Sequence, residues 1–97
     1  MITIKEMKFD MKELEDKAEL LKAIAHPIRL CIVRGLMQEE GRNVTNIQTC
    51  LSIPQSTVSQ HLAKLKSAGI VEGRRSGTEV NYYVINEDVR NVLNHIF

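Results

Sequence analysis

The chain has 97 residues, enough for one domain and too few for two. Apolar residues make up 43% of it and charged residues 26%, the balance of an ordinary globular protein, and no run of about 18 apolar residues offers a membrane span. The net charge of +1 is uninformative until it is divided: residues 1–25 sum to −1, 26–51 to +1, 52–75 to +3 and 76–97 to −2, so the positive charge is concentrated in one window.

A domain of this size buries only about 60–65% of the surface its unfolded chain exposes, so a partner subunit would help it. Met1 to Lys12 alternates Lys with Ile, Met and Phe and lacks the continuous apolar stretch and cleavage site of a signal peptide, which predicts a cytoplasmic protein. The two cysteines, Cys31 and Cys50, form no CxxC and have no second pair to make a zinc knuckle. The aromatics are Phe9, Tyr82, Tyr83 and Phe97, so the central core must be aliphatic.

In chain order, Asp10 and Glu13 form a capping-box pattern ahead of Leu14, Ala18, Leu21 and Ile24, which recur at helical spacing and predict a first helix over about 11–24. His26 is read as a cap or turn residue. Pro27 opens a second helix, whose stripe is Ile28, Cys31, Ile32, Gly35 and Leu36 and whose end is Gly41. Thr45 to Gln48 reads as another capping box before a short helix over about 46–51. Ser52-Ile53-Pro54 is a tight connector to a fourth helix that runs to about Ser67, with Gly69 beyond it.

The period then changes. Residues 70–75 and 80–85 are β-rich runs, with Ser76-Gly77-Thr78-Glu79 as the turn between them. Asn86 caps a last helix over about 87–96. The expected fold is mainly α with a β-hairpin, a single domain over 1–97. Its third and fourth helices have helix-turn-helix dimensions, and the hairpin after them reads as a wing.

Function is most legible in the segment Pro54 to Lys66. Val58, Leu62 and Leu65 form one narrow apolar stripe, and the rest of the surface is short and polar: Gln55, Ser56, Thr57, Ser59, Gln60, His61 and Lys64. No acidic residue occurs from Leu51 to Val71. Such side chains can donate to base edges and phosphates without repelling the backbone, and the helix's first turn offers free N–H groups to a phosphate. Arg74, Arg75 and Gly77 fall at the hairpin tip, where a pair of arginines can enter a minor groove or clamp phosphates, or else guard an exposed strand edge. Thr45, at the start of the third helix, completes the candidate DNA-binding set. For His61 the sequence leaves two readings open, a DNA contact or a brace within the helix-turn-helix.

Leu21 to Leu30 (LKAIAHPIRL), Ser56 to Leu62 (STVSQHL) and Ala68 to Val71 (AGIV) together resemble the ArsR/SmtB winged-helix repressors over about residues 14–97. The stretches from Asn43 to Ile47 and from Leu51 to Leu62 are most like the PagR-type members, which lack metal sites. The resemblance implies an α1-α2-α3-α4-β1-β2-α5 homodimer, joined through its first and last helices, that reads the major groove of a promoter inverted repeat with helix 4. The apolar residues at the two ends agree with a dimer. Phe9, Leu14, Val89, Val92, Leu93 and Ile96 are its candidate interface, with Met11 and Phe97 beside them.

Where the family's thiolate metal sites place cysteines, this chain has Asn43, Thr45 and Gln48, and its last helix offers His95 alone, so neither a metal nor a cofactor is expected. The family's persulfide sensors need one cysteine near the end of helix 2 and another in the last helix. Cys31 lies about a turn too early, and the last helix has none. Both cysteines are expected on buried stripes as small hydrophobes, the alternative being a redox switch built from Cys31 and Cys50. A winged-helix protein-interaction module is a further alternative, but its helix 4 should carry large apolar or acidic residues. Nothing at useful spacing suggests an enzyme.

Overall fold

The computed structural model describes residues 8–97, so the first seven residues of the stretch read above for a signal peptide, and of the expected domain, lie outside it. Five helices and one hairpin follow in the expected order: α1 Met11–Ile24, α2 Pro27–Gln38, α3 Val44–Leu51, α4 Gln55–Ser67, β1 Val71–Ser76, β2 Glu79–Val84 and α5 Glu87–Ile96.

Side-chain oxygens or nitrogens start most of these helices. Asp10 accepts from Lys12 N at 3.0 Å, His26 Nδ1 from Ile28 N at 3.1 Å, and Asn86 from Val89 N at 3.0 Å. The third helix corrects the sequence reading. Its cap is Asn43, in reciprocal hydrogen bonds with Asn46 at 2.8 and 3.3 Å, and Thr45 lies inside the helix instead of capping it. An Asn–Asn box does for the N–H groups of Asn43 and Asn46 what the expected Thr–Gln pair would do two residues later.

The hairpin is also shifted. Ser76 pairs with Glu79, so the turn has only Gly77 and Thr78 at its centre, and Arg75 and Arg74 lie opposite Val80 and Asn81 below the tip. Gly77 has φ +65°, which the first central position of a II′ turn requires and only glycine adopts freely. The α2–α3 connection joins the sheet edge: Gly41 N donates to Tyr82 O and Tyr82 N to Arg42 O, both at 2.9 Å.

The core is aliphatic throughout, from Ala23, Ile24, Ile32, Val33 and Leu36 through Ile47, Val58, Leu62 and Leu65 to Ile70, Val71, Val84, Val89 and Leu93. Val58, Leu62 and Leu65 are the stripe read from the sequence, and each is buried. In α2 the buried stripe is Ile32, Val33 and Leu36, one position round from the one expected, which turns Cys31 outward. In α1 only Ala23 and Ile24 are buried, while Leu14 and Leu21 face solvent. Val89 and Leu93 are each 1% exposed. Both belong to the protomer's own core, so neither presents an exposed side chain as the interface reading expected.

Candidate nucleic-acid interface

The left-handed Ser52 (φ 56°) ends α3, and Pro54 opens α4 with φ already near its fixed value, so three residues suffice to turn the chain. The buried stripe of α4 points its opposite side outward. Gln55, Ser56, Ser59, Gln60 and Lys64 are exposed there, Thr57 is half-buried, and Thr45 is exposed on α3. Lys66 is exposed on the same helix, a second cation beyond the Lys64 that the sequence reading singled out.

His61 does not share that outward face. It is half-buried, its ring centroid is 4.6 Å from that of His26 at a tilt of 44°, and its Nδ1 is buried without a hydrogen-bond partner. Burial holds its pKa below the ordinary value of 6.5, and the electrostatics of the neighbouring His26, Arg29 and Lys64 act in the same direction. Of the two readings left open for His61, this placement corresponds to the brace.

The two wing arginines differ. Arg74 donates to Glu72 at 3.3 Å through both Nε and Nη2, and its guanidinium stacks over Tyr83 at 4.2 Å. Arg75 points to the opposite face of the strand and, among the described residues, makes no ion pair. Gly77 is exposed at the tip.

Away from this surface, charged pairs link neighbouring elements. Lys17 reaches Asp88 at 2.5 Å, linking α1 to α5, and the Asp88 carboxylate raises the lysine's pKa. Arg90 pairs with Glu40 and donates to Val84 O at 2.7 Å, tying α5 to the end of α2 and to the wing. Neither pair is visible from spacing, because the partners lie 71 and 50 residues apart.

The cysteines overturn their expected burial. Both are exposed and unbridged, and both line a small cleft between α2 and α3. Arg42 Nη1 donates to Cys50 Sγ at 3.1 Å, while Nη2 holds Glu39 at 2.5 Å. Arg42 drew no notice in the sequence because nothing there shows that the α2–α3 loop bends it back onto α3.

A protein-family profile described as a helix-turn-helix domain matches residues 24–74. The chain is 44% identical over 86 residues to the transcriptional repressor PagR of Bacillus anthracis, covering 89% of this chain and 86% of PagR. It superposes on the crystal structure of that protein with a TM-score of 0.83 over 91% of this chain and 100% of the other. It is 43% identical over 83 residues to the HTH-type transcriptional repressor SmtB of Mycobacterium tuberculosis, spanning 84% of this chain and 61% of SmtB. It also matches the homodimeric winged helix-turn-helix DNA-binding domain of Mb0332 from Mycobacterium bovis, a possible ArsR-family regulator, with 35% identity, 92% and 84% coverage and a TM-score of 0.79. With the five-helix order and the hairpin wing in place, this chain belongs to the ArsR/SmtB family of winged helix-turn-helix transcriptional repressors.

Proposed function

We propose that the chain is a cytoplasmic, sequence-specific DNA-binding repressor that acts as a homodimer on a promoter inverted repeat of about 20 base pairs, its half-sites one helical turn apart, without metal or cofactor. The observation that carries this reading is the exposed face of α4. It presents Gln55, Ser56, Ser59, Gln60 and Lys64 in a segment with no acid from Leu51 to Val71. Gln and Ser read base edges, Lys64 and Arg75 meet phosphates, and Thr45 and Gly77 approach the backbone from either side.

Support for the pair of chains comes from the ends. Phe9, Met11, Leu14, Leu21, Ile96 and Phe97 are exposed, with Ile96 at 62%, and Val92 is half-buried beside them. So much apolar surface on α1 and the end of α5 calls for a partner, and the domain from Mycobacterium bovis is described as homodimeric. We assign the interface to Phe9, Leu14, Val92 and Ile96, with Met11, Leu21 and Phe97. Val89 and Leu93 are left out because the protomer core uses them.

A second reading, that repression responds to thiol chemistry, is favoured by one observation: Cys31 and Cys50 are exposed on a shared cleft at the base of the helix-turn-helix.

The test is retardation of DNA from upstream of the gene by the purified protein at low salt. A retarded complex that competitor DNA lacking an inverted repeat fails to displace is the expected result. Recovery of a protein partner with no retention of any upstream DNA would instead favour an interaction module.

A further inference from the structure

Between α2 and α3 lies a cavity of about 80 Å³. Ile32, Leu36, Ile47 and Leu51 line it with hydrocarbon, and Cys31 and Cys50 bring one thiol each from the two helices. Arg42 completes the lining, with Nη1 on Cys50 Sγ at 3.1 Å. Three features therefore coincide: an apolar recess, a nucleophilic sulfur at it, and a guanidinium against that sulfur. The DNA-facing surface uses none of them.

We propose that this cleft is a covalent binding site for short α,β-unsaturated aldehydes, with Cys50 as the nucleophile and Arg42 as the group that orients the aldehyde. Size sets the class. An enclosed apolar cavity of about 150 Å³ takes up benzene; this cleft of about 80 Å³, open on one side, suits a short molecule of about three to four non-hydrogen atoms. Chemistry narrows it further. The guanidinium has five N–H donors, so with Nη1 on the sulfur and Nη2 on Glu39 it keeps others that can hold a carbonyl oxygen. The β-carbon of an enal is three bonds from that oxygen and comes to rest beside the sulfur.

The step balances without a further reagent. The Cys50 Sγ electron pair forms a bond to the β-carbon. The carbon–carbon π pair moves toward the carbonyl, where Arg42 faces the charge that develops on oxygen. The thiol proton ends on the α-carbon, nothing leaves, and nothing is oxidised or reduced. Cys31 lines the same cleft but has no guanidinium against it among the described hydrogen bonds. A soft cation is the less suitable occupant, since among the described residues no group of three His, Cys, Asp or Glu converges to hold it.

The adduct has a route to the DNA-facing surface. It replaces the Arg42 contact to the Cys50 thiol, in the last turn of α3, by one to the bound carbonyl, and the backbone of Arg42 is paired to Tyr82 in the wing. Loss of operator binding on modification follows, and this consequence alone rests on the DNA-binding function proposed above.

The experiment exposes the intact reduced protein to substoichiometric acrolein and maps adducts by peptide mass spectrometry, which needs no DNA. The site predicts addition at Cys50 about tenfold faster than at Cys31, unchanged by Cys31→Ser, absent in Cys50→Ser and about tenfold slower in Arg42→Gln. Equal rates at both cysteines, a Cys50 rate no faster than that of N-acetylcysteine, or an Arg42→Gln protein that folds normally and reacts as fast as wild type would each overturn the site. Operator affinity of the modified protein is then compared with that of the untreated protein. About a tenfold loss supports the regulatory consequence, and unchanged affinity with the adduct in place overturns that consequence while leaving the site standing.

Discussion

His61 on α4 packs its ring 4.6 Å from the ring of His26, the residue that caps α2 through its Nδ1. The helix carrying the candidate DNA-facing residues thus meets the start of α2 through a pair of imidazoles, beside its buried aliphatic stripe. Burial first, then His26, Arg29 and Lys64, disfavour the protonated form of His61. The unfolded chain takes up a proton at this position more readily than the folded one. The contribution of His61 to stability is therefore complete above about pH 6.5 and is lost as the pH falls below that. Urea denaturation between about pH 7.5 and about pH 5.5 checks this. Wild type should lose more stability on acidification than His61→Asn, whose side chain does not titrate; parallel losses would show that His61 plays no part.

On the α4 face, two kinds of substitution should separate. Gln60→Ala or Ser56→Ala takes away a group we propose to read a base edge and should relax sequence preference, at a cost of about 1–3 kcal/mol where the pairing is bidentate. Arg75→Ala should weaken binding to all sequences alike and lower the slope of log affinity against log salt by about one for each phosphate that is no longer neutralised. Arg74→Ala should do less, because Arg74 is already engaged with Glu72 and Tyr83. Binding isotherms at several salt concentrations on matched and scrambled operators distinguish these effects.

The ends of the chain divide between fold and assembly. Ile96→Glu should leave the protomer folded and shift it to a monomer, since this side chain is 62% exposed and adds nothing to the core. Leu93→Ala, three residues away and 1% exposed, should cost about 2–5 kcal/mol of protomer stability. Sedimentation equilibrium and thermal denaturation of the two variants should give opposite patterns.

Element order and the α4 stripe were legible because they rest on local signals: capping residues, helical spacing and a glycine turn. Features that depend on which face an element turns inward were less so. A shift of one position in the α2 stripe moved Cys31 from the core to the surface. In α5, the apolar residues read together as an interface divide in the structure, with Val89 and Leu93 inside and Ile96 outside. Sequence periodicity marks an apolar stripe but does not say whether the protomer or a partner covers it. Arg42, Arg90 and the His26–His61 pair act through contacts that only the folded chain brings together.

The caps also carry a test. Asn43→Ala removes the side chain that accepts from Asn46 N and should cost ~1 kcal/mol. Thr45→Ala, inside the helix, should change stability far less. Equal losses in the two variants would restore Thr45 as the cap.

The central claim is most directly tested by footprinting the protein on its target DNA while measuring stoichiometry on the same fragment. Two chains should protect one inverted repeat of about 20 base pairs, with contacts to two half-sites one helical turn apart on one face of the duplex. Protection by a single chain, or uniform coverage that ignores the repeat, would contradict the account.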